Sequence, residues 1–236
     1  MDKILYFIVI YKIKREQSRA WQQLHALLGK DKENCIYVHD NTENNIYLAA
    51  AYNKGWQYAK QNGYSWIVLL DADTNVTKQY IDSVQEAVNT CRSETVFCPE
   101  LIDDKGTLLS PLKSHGIDVA FNSGLVVPIH IIDKLNGYNE NYPLDYLDYW
   151  FCYQLHQLRI PLEVLPVRLT HSLSVCDYSQ VSKERYLSLL AAEKRFAKET
   201  GHERLYRIRL FCRLIKWILT GHKYIRETYC ALIENK

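Results

Sequence analysis

The first half of this sequence alternates apolar runs with amphipathic stretches, and this alternation constrains the fold more than any other feature. The apolar runs, which we predict to be strands, are Ile4–Tyr11, Asn34–His39, Ser65–Leu70 and Thr95–Cys98. The amphipathic stretches, which we predict to be helices, are Ser18–Leu28, Ile46–Gln61 and a segment that follows Thr77 as its N-cap. Strands that alternate with helices are typical of a largely parallel sheet covered by helices. The sequence therefore predicts an α/β fold.

The second half of the sequence is less regular and ends in helices. Residues 100–120 are polar, and we expect irregular structure there. The elements predicted after them are a strand at 122–128, a helix at 129–135, a helix at 145–158 and a strand at 162–165. From Ser182 onward the spacing is helical, with interruptions near Gly201 and Gly221. We predict one α/β domain over residues 1–180, with halves of about 1–100 and 101–180, and a helical C-terminal extension over 181–236.

Composition and charge describe a globular protein without a nucleic-acid partner. The chain has 236 residues, a hydrophobic share of 47% and a net charge of +2, so its bulk charge gives no reason to bind nucleic acid. Its seven cysteines include no C-x-x-C pair, and its start resembles a first strand more than a secretory leader. The sequence contains no stretch of about 18 apolar residues, which is the length that a membrane-spanning helix needs. We therefore expect a cytoplasmic protein with reduced thiols.

Two acidic residues, Asp71 and Asp73, follow the apolar strand that begins near Trp66. Carboxylates two positions apart at the end of a strand can face the same side, because side chains alternate along a strand. The carboxyl ends of parallel strands are also where open α/β folds bind ligands. Hard divalent cations prefer such oxygen ligands and share their coordination with phosphates. The alternative interpretation is that both acids only start a turn.

Six segments share one resemblance, and they are Asn45–Gly55, Leu70–Thr74, Phe121–Gly124, Gly137–Glu140, Pro143–Asp148 and Leu169–His171. Together they resemble family 2 glycosyltransferases, particularly their rhamnosyltransferase-like branch. They occur in the order of the family and lie within residues 4–175. The resemblance implies a GT-A, Rossmann-like fold with a mixed, mostly parallel sheet. It also implies transfer of a sugar from a UDP-, dTDP- or GDP-sugar to a glycan or lipid-linked saccharide in cell-surface polysaccharide synthesis.

The resemblance further implies roles for residues on the donor side. Asp71 and Asp73 match the D-x-D pair that binds Mg²⁺ or Mn²⁺ and the donor diphosphate. Asp40 matches the acid that contacts the nucleobase. The family's nucleotide-binding segments also include three other positions, which are Tyr11, Asn45 and Asn53.

On the acceptor side, Asp148 matches the general base of the family, and His171 matches a position that completes the metal site or contacts the diphosphate. A carboxylate near the incoming hydroxyl suits displacement of a sugar from a diphosphate. Asp145 lies three positions before Asp148, so a helix places both on one face, where one pKa tends to rise. The residues alone favour a simpler explanation, in which both acids stabilise a helix N-terminus. With the resemblance, we predict Asp148 as the base and Asp145 as the second candidate.

Three departures from the family pattern keep other functions open. Tyr47 stands where the family usually has glycine, Trp150 where an acid is common, and Gln154 where arginine is frequent. The last two changes leave a non-catalytic nucleotide-sugar binder as an alternative. A haloacid dehalogenase-like phosphohydrolase is a weaker alternative, because that family has Thr or Val where this chain has Asn75.

The C-terminal segment 203–223 combines arginines and lysines with large apolar residues at helical spacing. A basic amphipathic helix of this kind can lie in an anionic membrane interface. The alternative is that the helix packs on the protein with its arginines in water. The two hypotheses are evenly weighted, and the first would hold the enzyme peripherally on the inner face of the membrane.

Overall fold

A seven-stranded sheet organises the first part of the computed structural model, which describes residues 3–29, 35–91, 94–170 and 181–233. Within these residues the strands are β1 (Ile4–Ile10), β2 (Ile36–Asp40), β3 (Trp66–Asp71), β4 (Val96–Ile102), β5 (Leu108–Ser110), β6 (Leu112–Ser114), β7 (Ile117–Val119), β8 (Leu125–Pro128) and β9 (Leu162–Thr170). The helices are α1 (Arg19–Leu28), α2 (Tyr47–Gln61), α3 (Lys78–Thr90), α4 (Ile129–Lys134), α5 (Leu147–Gln157), α6 (Lys183–Glu199), α7 (Glu203–Thr220) and α8 (Ile225–Ile233). The chain forms two compact units, Met1–Ser172 and Leu173–Lys236.

The central sheet is mixed, with most strands running in one direction. β1 pairs in parallel with both β2 and β3. β8 then runs antiparallel to β3 and to β4, which restores the first direction in β4. β9 pairs in parallel with β4, and short β5 pairs antiparallel with it. Five of the seven strands therefore share a direction, and the predicted mixed, mostly parallel α/β sheet is confirmed.

The burial of β3 agrees with its position inside the sheet, between β1 and β8. The first five residues of β3 are fully or almost fully buried, as expected for a strand that carries helices on both of its faces. Helices α1 and α3 begin where the sequence predicts. The Ser18 side chain accepts a hydrogen bond from the Trp21 N–H at the start of α1, and Thr77 accepts one from Tyr80 at the start of α3.

Residues 100–120 differ from the prediction of irregular structure. β4 continues to Ile102, β5 pairs with it, and β6 and β7 form a separate two-stranded ribbon. The side chain of Ser110, which is buried, accepts a hydrogen bond from the Phe121 N–H. These short strands form because neighbouring strands satisfy their backbone groups. Each has only three residues, which is too short for apolar periodicity to be recognised.

In the described residues of the second unit, 181–233, three helices surround an aromatic core. Tyr186 of α6 contacts Trp217 of α7, with ring centroids 5.1 Å apart, and stacks on Tyr224 at 4.6 Å. A buried ion pair joins Glu193 to Arg213 through two hydrogen bonds of 2.8 and 2.9 Å. The predicted breaks between the helices are confirmed. None of the described helices has the length and apolar character needed to cross a membrane.

Candidate functional site

The carboxyl ends of β1, β2 and β3 meet at one edge of the sheet and bring two of the predicted acids to either side of β1. Asp40, the last residue of β2, pairs with Ile10, and Asp71, the last residue of β3, pairs with Val9. Because the three strands are parallel, both acids lie at the same edge. This is the edge at which ligands bind in open α/β sheets.

The turn that carries Asp71 and Asp73 is held in place from the side of α1. The carbonyl of Ala72, between the two acids, accepts hydrogen bonds from the Ser18 hydroxyl at 2.9 Å and the Ala20 N–H at 3.2 Å. Both donors belong to the first turn of α1 or its cap. The backbone of the turn is therefore fixed by atoms other than the two carboxylates.

A buried pair of hydroxyls supports the same turn from the opposite side. The Thr74 hydroxyl accepts a hydrogen bond from the Asp71 N–H at 3.1 Å and lies 2.6 Å from the Ser123 hydroxyl. Ser123 is in the segment that leads into β8, and the Gly124 N–H donates to the Leu69 carbonyl of β3 at 2.7 Å. A turn held on both sides is preorganised, so a ligand would not have to order it.

The carboxylates themselves differ in exposure, since Asp71 is half-buried and Asp73 is exposed. Oxygen ligands from two carboxylates, completed by diphosphate oxygens, suit Mg²⁺ or Mn²⁺, so the donor set fits the predicted metal. His171, the third predicted metal ligand, lies outside the described residues. Across the ranges that the structure describes, no three His, Cys, Asp or Glu side chains are grouped closely enough to hold a metal ion.

The start of α5 is attached to the start of α2 and so carries two more acids to the site. The carbonyl of Pro143 accepts hydrogen bonds from the N–H groups of Leu48 and Ala49 at 2.8 and 3.1 Å. Asp145 and Asp148 follow directly, and both are partly buried. The tertiary structure thus brings these two acids to Asp71, which is more than seventy positions earlier in the sequence. The effect of the Asp71 charge on the pKa of Asp148 agrees with this.

Asp148 has an unusually basic carboxylate. Burial raises its pKa from 3.8 to about 7. Hydrogen bonds from backbone N–H groups, including that of Tyr149 at 2.9 Å, act in the opposite direction, and the charges of Asp145 and Asp71 raise the pKa further. Its side chain keeps some contact with solvent although protein surrounds it closely, which describes a group at the bottom of a cleft. A pKa near 7 is suitable for a general base at neutral pH.

Tyr52 is a candidate site residue that the sequence analysis missed. Its side chain is fully buried, and its hydroxyl has no hydrogen-bond partner among the described residues. Burial raises the pKa of Tyr52, and the charges of Asp71 and Asp148 contribute to this shift. The hydroxyl therefore lies near both acids. A buried polar group without a partner is uncommon and indicates a place for a ligand or water. The sequence analysis gave Tyr52 no role, because in the sequence it is one more apolar position on the buried face of α2.

Three predicted nucleotide-binding residues lie near the edge of the sheet but in exposed positions. Tyr11 follows β1 and is 48% exposed, with the Lys12 ammonium over its ring. Asp40 accepts a hydrogen bond from the Thr42 N–H at 2.8 Å, and its bonds to Thr42 lower its pKa. The Asn45 side chain accepts a hydrogen bond from the Tyr47 N–H at 2.9 Å. Their contacts with a nucleotide remain predictions.

Asn53, the fourth predicted nucleotide-binding residue, connects α2 with the loop before α5. Its side-chain oxygen accepts from the Tyr138 N–H at 2.7 Å, and its amide donates to the Tyr138 carbonyl and to Glu140, both at 3.0 Å. Gly137 packs so closely that a Cβ there would lie 2.7 Å from the Asn53 oxygen. Asn53 therefore positions this loop, and a direct contact with nucleotide remains a prediction.

Two of the departures from the family pattern have structural explanations. Tyr47, which replaces the usual glycine, has a φ of 63°, in the left-handed region that favours glycine. Trp150, which replaces an acid, is buried on the inner side of α5. Tyr146 at the N-cap of α5 also has a left-handed φ of 64°, so the helix begins at Leu147, two residues later than predicted. Both helices thus start at a residue with a strained backbone, and such residues are common beside functional sites.

Taken together, the fold and the acids at its carboxyl edge define a protein of the nucleotide-sugar transferase class. The sequence model of glycosyl transferase family 2 matches residues 16–134, which is half of the chain, and the chain belongs to this family. The match includes Asp40, Asp71 and Asp73. The comparison with curated protein sequences gave no match.

Solved structures with the same fold include two glycosyltransferases. The mannosyltransferase PcManGT from Pyrobaculum calidifontis, solved with GDP-Man and Mn²⁺, has a TM-score of 0.55 at 8% identity, over 99% of this chain and 85% of its own. TarS from S. aureus, solved with UDP-GlcNAc, has a TM-score of 0.53 at 9% identity, over 87% of this chain and 69% of its own. A longer TarS chain is covered over only 41% of its length. The predicted GT-A fold is confirmed.

Proposed function

We propose that this family 2 glycosyltransferase is metal-dependent and inverting. The single observation that carries the proposal is the raised pKa of Asp148, about 7, in a group that also feels the charge of Asp71. Transfer of a sugar to a hydroxyl requires a group that accepts a proton. It also requires, close to that group, a carboxylate that can hold a metal–diphosphate complex. The proposed site residues are Asp71 and Asp73 for the diphosphate, Asp148 for the acceptor, and Asp145 beside it.

The metal proposal rests on the preorganised turn. Asp71 and Asp73, together with His171 on the resemblance, would hold Mg²⁺ or Mn²⁺. When bound, the cation neutralises the diphosphate and stabilises its departure. The hydrogen bonds to Ala72 and Thr74 support this proposal, because they fix the backbone that carries both carboxylates.

The proposed chemistry is a single displacement. The ionised carboxylate of Asp148 accepts the proton of the acceptor hydroxyl while the hydroxyl oxygen bonds to the anomeric carbon of the donor. The bond between that carbon and the diphosphate oxygen breaks on the opposite face, and the nucleoside diphosphate leaves with the electron pair. Asp145 and Asp71 raise the proton affinity of Asp148 and so favour the transfer of the proton.

The proposed substrates follow the family and its solved members. We propose a hexosyl or deoxyhexosyl group carried by UDP, dTDP or GDP, and a glycan or lipid-linked saccharide as the acceptor, in cell-surface polysaccharide synthesis in the cytoplasm. The TarS and PcManGT structures contain UDP-GlcNAc and GDP-Man, which supports a nucleotide sugar without selecting one. Rhamnosyl transfer from a dTDP donor rests on the branch resemblance alone.

The first test is thermal stabilisation by UDP, dTDP, GDP and their sugar conjugates, with and without Mn²⁺. A ligand that binds only the folded chain adds about 2.7 kcal/mol at a hundredfold excess over Kd, which shifts the Tm by roughly 5–10 °C in a chain of this size. We expect a metal-dependent shift for one nucleotide that disappears in Asp73→Asn. The matched control is Asp104→Asn, which removes an exposed carboxylate from the turn between β4 and β5. Equal shifts in both variants would refute the donor site.

A non-catalytic nucleotide-sugar binder is the second candidate, and Trp150 and Gln154 are the observations that favour it. Asp148→Asn separates the two functions, because its carboxylate faces the acceptor in the proposal. We expect this variant to keep the metal-dependent thermal shift and to lose the release of nucleoside diphosphate from the donor. A wild-type chain that binds the donor but releases no nucleoside diphosphate with any saccharide acceptor would favour the binder.

A further inference from the structure

Helix α7 has two apolar faces, and only one of them is buried. The buried face packs inside the second unit and consists of Tyr206, Leu210, Leu214 and Trp217. The second face is open to solvent and consists of Leu205, Ile208, Phe211, Ile215, Ile218 and Leu219. At 100° per residue these six positions form a continuous band beside the buried face. A surface helix normally has charged residues in such a band, so this one requires another explanation.

The exposure of this band is large for individual side chains. Ile208 is 60% exposed, Phe211 53%, Ile218 59% and Leu219 81%. Single exposed apolar residues need no explanation, whereas a contiguous group marks an interaction surface.

The charged residues around the N-terminal end of the band are two arginines and one acid, Glu203, so they are positive on balance. Arg204 and Arg207 border it, and neither forms an ion pair within the part of the chain that the structure describes. Glu203 is the only acid in α7. A groove of about 500 Å³ between α7 and α8 is lined by these two arginines and by Ile208, Phe211, Leu232 and Ile233. Guanidinium groups beside an apolar groove fit an amphiphile with an anionic head and an apolar tail.

We propose that the exposed face of α7 docks the protein on an anionic lipid surface. The apolar band enters the acyl boundary, and Arg204 and Arg207 contact the lipid phosphates. The positive charge at the edge of the band favours an anionic membrane over a neutral apolar partner, because guanidinium groups pair with phosphate. This inference does not depend on the proposed transfer reaction, since the surface belongs to the second unit and contains no proposed site residue.

The test is co-sedimentation of the full chain with phosphatidylcholine vesicles, with and without phosphatidylglycerol, at low and high salt. We expect binding only to the anionic vesicles and weaker binding at high salt. Arg204→Gln/Arg207→Gln should weaken the apparent affinity about 25-fold, or about fivefold for each arginine, since each cation near an anionic surface is worth about 1 kcal/mol. Equal binding to neutral and anionic vesicles would overturn the role of charge.

The apolar contribution is tested with a matched pair of variants. Phe211→Ser/Ile218→Ser removes two residues of the band, and Leu108→Ser/Val164→Ser removes two residues of similar exposure, 52% and 50%, from the first unit. We expect the first variant to lose vesicle binding and the second to keep it, with both folded by circular dichroism. The proposal is overturned if both lose it equally. A chain that is dimeric by light scattering, binds neither vesicle and becomes monomeric in Phe211→Ser/Ile218→Ser would instead assign the face to a second copy.

Discussion

Asp148 should make the ligand-free protein less stable as the pH rises, and its replacement by asparagine should remove this effect. The unfolded chain ionises this group near pH 3.8, whereas the folded chain ionises it at about pH 7. Between these values the folded state binds more protons than the unfolded state, so the free energy of unfolding falls with increasing pH. At about 1.4 kcal/mol per pKa unit, the full shift is worth roughly 4 kcal/mol.

The pH dependence gives the more precise expectation. Less than half of this destabilisation is present at pH 5, and nearly all of it is present at pH 8.5. Because Asp148 keeps some solvent contact, we expect Asp148→Asn to gain about 2 kcal/mol more over the wild type at pH 8.5 than at pH 5. The asparagine oxygen can still accept the hydrogen bond of the Tyr149 N–H, which lies 2.9 Å away in the wild type.

The assay is urea unfolding of both chains at pH 5 and pH 8.5, with EDTA and without nucleotide, since a bound cation near Asp71 would change the electrostatics. Asp104→Asn is the control, because it measures how the loss of an exposed carboxylate alone changes the free energy of unfolding. An Asp148→Asn chain that is less stable than the wild type at pH 8.5, or whose advantage does not grow with pH, would refute the assignment of a buried, raised-pKa carboxyl. If the same variant loses activity and gains stability, the carboxylate of Asp148 serves function and lowers the stability of the fold.

Three further predictions concern backbone strain and buried charge. Tyr47→Gly should change the free energy of unfolding by less than about 1 kcal/mol in urea titrations, because relief at φ 63° offsets the flexibility that glycine adds to the unfolded chain. Gly137→Ala should cost more than about 2 kcal/mol by the same assay, whereas Gly106→Ala, also at positive φ but in open space, should cost about 1 kcal/mol. Glu193→Ala should cost about 3–5 kcal/mol, because it leaves the Arg213 charge buried, and Glu193→Ala/Arg213→Met should recover much of this loss in thermal unfolding.

Much of the first unit follows from local patterns in the sequence. β1, β2, β3, α1 and α2 begin and end within two residues of their predicted bounds, and α3 begins directly after its predicted N-cap, Thr77. Their apolar periodicity, the caps Ser18 and Thr77 and the acids after β3 are all visible over a few neighbouring positions. Since each parallel strand ends at the same edge, the location of Asp40 and Asp71 at one edge also follows from the pattern.

The strands in residues 100–120 show where local patterns are insufficient. β5 depends on hydrogen bonds to β4, and the buried Ser110 depends on Phe121. β5, β6 and β7 have three residues each, which is too few for periodicity to identify them. The extension of β9 to Thr170 depends in the same way on its parallel pairing with β4.

The sequence by itself determined the α/β class, the acid pair Asp71 and Asp73, and the helical end of the chain, because these depend on residues close together in sequence. Only the tertiary structure decided that Asp148 lies near Asp71 and that its pKa is raised to about 7. It also decided that the Tyr52 hydroxyl, near both acids, has no hydrogen-bond partner among the residues that the structure describes. It also decided which apolar residues of α7 are buried and which are exposed. The physical reason is the same in each case: burial and electrostatic interaction depend on groups that are close in space and distant along the chain.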